Sequence, residues 1–279
     1  MSKESRQQSF HGGEQQSAHL KKEDAMKEKT MVRLLTAEKG TGYITEAELM
    51  DVIKNFDAVK ENIWVHLANA IWDNSKDCPQ REVEGTDLMA VFRIMLHVQG
   101  KGQSSILVKN GLMDAWNIDL ECLYETALKN TMEQAPARVI STGDMIDYGE
   151  EKSKRPEEVS CEDEETYILE NPGATGGAAA MLYPGVLQTI AEKRGSNLFI
   201  VPTSINEVLI IDDDGKSDPQ TLQRMLMESN IGIVARRAIL SDQVFYYNRK
   251  EKKISTATTP EGTWELQMEL DNFSRMFYP

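Results

Sequence analysis

Short polar side chains strung between two apolar runs are the residues of this chain best suited to hold a ligand. In Pro202-Thr-Ser-Ile-Asn-Glu207 the hydroxyls of Thr203 and Ser204, the amide of Asn206 and the carboxylate of Glu207 offer donors and acceptors. They stand where two core strands meet, and binding residues concentrate on such rigidly mounted connections. A plain turn, with these side chains bonded to their own backbone, accounts for the same residues and is the favoured reading. Asp242 and Tyr246, in Leu240-Ser-Asp242 and the following Tyr246-Tyr247, form a second and weaker cluster that reads mainly as a strand entry. The candidate binding surface is therefore Thr203, Ser204, Asn206, Glu207, Asp242 and Tyr246.

Other chemistry finds little support. Gly176-Gly177 ahead of a helix offers free amides to an anion, but neither a P-loop Lys-Ser/Thr nor a GxGxxG spacing accompanies it. Asp212-Asp-Asp-Gly215 suggests calcium, yet the position of the first EF-hand ligand falls on Ile210, inside a strand. Of the four histidines, His11 and His19 lie in a polar leader and His66 on the polar side of an expected helix. His97 shares a strand face with Arg93, a pair able to hold an anion. No serine sits in a GxSxG elbow and no cysteine in a catalytic setting. No catalytic residue, metal site or cofactor is expected.

Composition narrows the partners. A formal net charge of −14, from 45 acids against 31 bases, repels phosphate backbones, whose binding requires Lys/Arg clusters. Nucleic acid and anionic membranes are disfavoured; another protein is the expected partner. Three cysteines without CxxC spacing give neither a disulfide framework nor a zinc site. No charged-then-apolar leader opens the chain and no apolar run reaches the ~18 residues of a span, so a reducing cytoplasm is the expected compartment.

The elements that must carry these groups indicate an α+β chain of two lobes, each a small, mostly antiparallel sheet packed with helices. Residues 1–40 read as a polar tail and 41–146 as the N-terminal lobe. Residues 147–165 read as an acidic linker, 166–258 as the C-terminal lobe and 259–279 as an extension. Thr45-Glu-Ala-Glu48 is a capping box. Val59, Ile63, Leu67, Ala70 and Ile71 fall at helical spacing and predict an amphipathic helix ending before Cys78-Pro79. Leu88–Val98 alternates as a strand and turns at Gly100-Lys-Gly102 into Ser105–Val108. Asn117 or Asp119 caps a helix closing near Pro136. Thr166–Leu169 opens the second lobe, and an Ala-rich helix, with Pro184 at a kink or in the first turn, runs to Gly195. The apolar runs Asn197–Val201 and Glu207–Ile211 predict strands covered on both faces. Asp218-Pro219 caps a further helix, and Val244–Tyr247 with Ile254–Thr256 forms a hairpin. A strand-then-helix unit occurs in each lobe, a faint sign of duplication.

GAAAMLYPGVLQTIAEKRGSNLFIVPTSINEVLII (Gly177–Ile211) and LSDQVFYYNR (Leu240–Arg249) resemble an uncharacterised family of anaerobic Gram-positive gut bacteria, domain of unknown function 5688. Phe56–Ala70 and Ile106–Thr131 match it more diffusely, and the whole is distantly similar to another uncharacterised bacillar family. The resemblance implies identity without an activity. Where that family commonly has a histidine after its Pro-Ser-Ser-type turn, this chain has Asn206, which cannot titrate near neutrality. The combined expectation is a non-catalytic interaction or regulatory module. The alternatives are a hydrolase or transferase with its site in the cleft near Thr203–Glu207, and a metal or nucleotide sensor using the Asp-rich turn.

Overall fold

β5, Leu88–Val98, is the spine of the N-terminal half. Its even-numbered residues are buried to the last one, and eleven residues of extended chain give it room for two partners along each edge. On one edge β3 (Ile63–Asn69) pairs with Leu88–Ile94, and β1 (Met31–Leu34) pairs with Leu96–Val98. On the other, β4 (Gln80–Glu82) and β6 (Gly102–Leu107) follow one another. A two-residue strand, β2 (Ile44–Thr45), completes this antiparallel sheet of six. The structure, a computed structural model, describes residues 30–36, 42–69, 77–142, 153–161, 166–173 and 175–258.

One face of this sheet, with Ile63, Val65, Ala90, Phe92, Ile94 and Leu96, packs on four helices. These are α1 (Glu46–Val52), α2 (Phe56–Val59), α3 (Asn110–Trp116) and α4 (Leu120–Gln134). The Thr45/Glu48 capping box opens α1 as expected, and Asp119 caps α4 by accepting the Cys122 amide at 2.8 Å. α4 is riveted to β3 through buried polar groups: Thr131 Oγ1 accepts the Val65 amide, and Asn130 Nδ2 donates to the Ile63 carbonyl. Such bonds satisfy backbone that a buried strand would otherwise leave unpaired.

The second sheet runs β12-β11-β9-β10-β8-β7, all antiparallel. Its strands are β7 (Arg138–Ser141), β8 (Thr166–Glu170), β9 (Leu198–Ser204), β10 (Glu207–Asp212), β11 (Phe245–Asn248) and β12 (Lys253–Thr256). Tyr167, Leu169, Leu198, Ile200, Val208 and Ile210 face a core shared with α5 (Val186–Arg194) and with Leu67 and Leu88 of the first sheet. Phe199 and Val201 face the opposite way, toward Leu226 of α6 (Pro219–Gly232). The fold is thus α+β with two antiparallel sheets packed together. Among the described residues no helix is long and apolar enough to cross a membrane.

Several expectations need correction. Ile63–Asn69, expected within a helix, is β3; the remainder of that helix, from residue 70, lies outside the described residues. Ile63, Trp64 and Val65 are β-branched or aromatic and the strand is buried on both faces, so burial rather than a period of two shaped the sequence. Within the expected tail, Met31–Leu34 is β1, held by pairing and by the burial of Val32. Within the expected linker, Lys154 bridges to Val139, and Pro156 and Val159 are buried. The Ala-rich helix is two pieces: a 3-10 turn over Gly177–Leu182, then α5, separated by Tyr183-Pro184-Gly185. Proline removes an amide there, and Gly185 at φ +82° turns the chain into α5 as its N-cap. β9 is covered on both faces, but β10 is fully buried only at alternate residues. β7 joins the second sheet although it precedes the expected linker.

Candidate functional site

The face of the first sheet away from its helices carries Trp64, His66, Arg93 and, from β6, Gln103 and Ser105. Register brings them together: Arg93 lies opposite Trp64 on β3 and Leu107 on β6, while His66 lies opposite Val91. Across from this face stand the β9–β10 hairpin and the segment leading into β11. Between them is a cleft of about 580 Å³, walled by His66, Arg93 and Ser105 on one side and by Ile205, Arg236 and Arg237 on the other. That volume falls in the range of roughly 300–1,000 Å³ typical of small-molecule sites.

His66 is 6 % exposed, and its Nε2 is buried without a hydrogen-bond partner. Burial, with the positive charge of Arg93 adding to it, lowers its pKa to about 3. The imidazole is therefore neutral at physiological pH. Arg93 Nε donates to Ser105 Oγ at 2.7 Å, which fixes the guanidinium along the wall. Gln103 Nε2 is buried and unpartnered as well. Arg236 and Arg237 lie on an exposed 3-10 turn at the mouth.

A glycine-rich loop presses on this wall. At Gly176, φ is +86°, and a Cβ there would collide with the His66 ring; one at Gly177 would collide with the Asn206 carbonyl. Only glycine allows both approaches. Asn206 Oδ1 accepts the Gly176 amide at 3.1 Å, so this side chain buttresses the loop.

The sequence-derived candidates lie outside the cleft. None of the six lines it; of their connection only Ile205 enters it, whereas Thr203 Oγ1 donates to the Glu207 carbonyl and Ser204 Oγ accepts the Asn206 amide within the hairpin. Glu207 is half-buried, and burial followed by the nearby Glu170 raises its pKa. Asp242 accepts from Asn230 Nδ2 at 2.8 Å beside a separate hollow. Tyr246 lies against Phe199, on the α6 side of the sheet, and donates to Asp213 Oδ2. His97 is engaged elsewhere, 2.9 Å from the Tyr43 hydroxyl, so the partner of Arg93 on the cleft wall is His66. Sequence reasoning missed His66, Arg236 and Arg237. The only signal for His66 was its place within a run of buried β-formers.

The carboxylates of the Asp-rich turn are engaged by the protein itself: Asp214 Oδ1 accepts the Lys216 and Ser217 amides, and Asp212 Oδ2 pairs with Arg194. Among the described residues no group of three His, Cys, Asp or Glu converges as metal ligands would. The three cysteines are free, Cys78 buried and Cys122 and Cys161 exposed.

Fold and cleft together define a two-sheet α+β protein with an open site between its sheets. The chain matches the model of a family of unknown function, DUF5688, over residues 19–249, and it belongs to that family. No curated protein and no solved structure matches it.

Proposed function

We propose that the protein is a non-catalytic binding module of the bacterial cytoplasm, in which a small ligand seats between the sheets and regulates association with a partner protein. The observation that carries this reading is the makeup of the cleft. It offers hydrogen-bonding groups from both sheets, and its one histidine ionises near pH 3. A base that weak accepts a proton poorly at neutral pH, so His66 suits recognition better than proton transfer. A ligand touching both walls would bias how the sheets sit on each other, which is what a regulatory module requires. The acidic exterior suits a partner with a basic face, and three free thiols accord with a reducing compartment.

Glu207 favours a second reading, a hydrolase or transferase near Thr203–Glu207, because a half-buried carboxyl with a raised pKa is a general-acid candidate. One experiment separates the two. Protein purified from its native host is denatured, and released metabolites are identified by mass spectrometry, for wild type and for Ala68→Phe, which fills the cleft. A small molecule retained by wild type and absent from the variant supports the module. Turnover of that molecule, abolished by Glu207→Gln, would replace it with the enzyme.

A further inference from the structure

In a chain with a formal net charge of −14, no aspartate or glutamate stands among the described residues lining this cleft, whereas Arg93, Arg236 and Arg237 all do. Resting on the reading of the cleft as the binding site, we infer that its ligand is a small organic anion, a phosphoryl or carboxylate group attached to an apolar body. The cationic side chains come from different elements, β5 and the 3-10 turn before β11, so their convergence is a product of the tertiary fold. The guanidinium groups of Arg236 and Arg237 form no hydrogen bond or ion pair among the described residues, so their charges are not neutralised by a neighbour. His66 Nε2 and Gln103 Nε2 add buried polar atoms that lack a partner, and buried polar groups of this kind are normally satisfied.

Size and apolar lining fix the rest of the ligand. The cleft is far roomier than a bare oxyanion requires, and Val91, Ile205 and Ile239 line it alongside the polar groups. Guanidinium groups bind phosphoryl and carboxylate oxygens alike through paired N–H donors. The shared chemistry is therefore the oxyanion, with an apolar remainder laid against the β9–β10 hairpin.

The test is calorimetric titration of the full chain with phenylphosphonate, benzoate and benzyl alcohol, which share a ring and differ in the head group. Wild type is expected to bind at least one of the anions tenfold or more tightly than the alcohol. Which anion binds better identifies the head group. The Arg236→Gln/Arg237→Gln double variant, altered only at exposed positions, should lose tenfold or more and much of the salt dependence. Ala68→Phe should abolish binding. Circular dichroism melts confirm that both variants fold.

If benzyl alcohol binds as tightly as the anions and Ala68→Phe still abolishes it, the anion assignment fails while the cleft survives as the site. Anion binding that persists in Ala68→Phe would place the site elsewhere and overturn both. If none of the probes binds, the anion assignment is overturned, and metabolite retention decides the cleft on its own.

Discussion

At the scale of single residues, His66 makes the sharpest claim. Its environment disfavours the imidazolium, so folding releases a proton that the unfolded chain would hold. Well above pH 6.5 both states carry neutral imidazole and His66 adds no pH dependence. As pH falls from 6.5 toward about 3, the unfolded state takes up the proton first, and stability drops by up to roughly 1.4 kcal/mol per unit. Asp87 acts in the opposite sense: burial raises its pKa, so folding favours its protonated form and stability gains as pH falls through its range. Subtracting the urea-derived stability of His66→Gln from that of wild type cancels the Asp87 contribution. The difference should slope downward with acidification between pH 6.5 and 3 and flatten above about pH 7.5. A flat difference throughout would mean that His66 is solvated and charged at its usual pH.

At the scale of elements, the strands with a polar face were legible and the one without was not. β5 keeps its even-numbered residues apolar from Leu88 to Val98, and Arg93 and His97 on the other face break the apolar series although Val91 and Met95 beside them are buried. β3 is buried on both faces, and Val59, Ile63 and Leu67 happen to fall four apart, so it presents a helical spacing. The signal that outweighs spacing is composition, since Ile63, Trp64 and Val65 favour extended chain. That one misreading also hid the site, because only the β3–β5 register places His66 beside Arg93. The caps, by contrast, were fully readable: Thr45, Asp119 and Asp218 each accept the amide their spacing predicts.

The segment before β8 was read as a linker because its charges are visible and its anchor is not. Arg194, at the end of α5, donates to Asp212 Oδ2 at 2.7 Å and to the Ser160 carbonyl, and both side chains of the ion pair are almost wholly buried. Arg194→Ala strands a buried carboxylate and should cost about 3–5 kcal/mol, seen as a lower urea midpoint. It should also expose residues 153–161 to protease under native conditions. An unchanged midpoint would show that the pair contributes little, as exposed pairs generally do.

At the scale of the molecule, two sheets do not make two independent units, because their interiors interpenetrate. Leu67 and Leu88 of the first sheet belong to the core of the second, and Ala179, in the 3-10 turn beside β8, belongs to the core of the first. Polar ties cross the same boundary: Asn69 Nδ2 donates to the Leu240 carbonyl, Ser241 Oγ to Asp87, and the Tyr183 hydroxyl to the Ala135 carbonyl. Cutting the chain at the acidic segment would leave β8 without β7 and leave Tyr183 without its acceptors. Equilibrium unfolding in urea should therefore be a single transition. Tryptophan fluorescence, which includes Trp64 and Trp116 of the N-terminal half, should coincide with far-UV circular dichroism, which reports both sheets. An isolated 166–258 fragment should show neither a cooperative melt nor dispersed amide resonances. Non-coincident transitions, or a fragment that folds alone, would separate the sheets into autonomous domains and make the cleft a junction between hinged bodies.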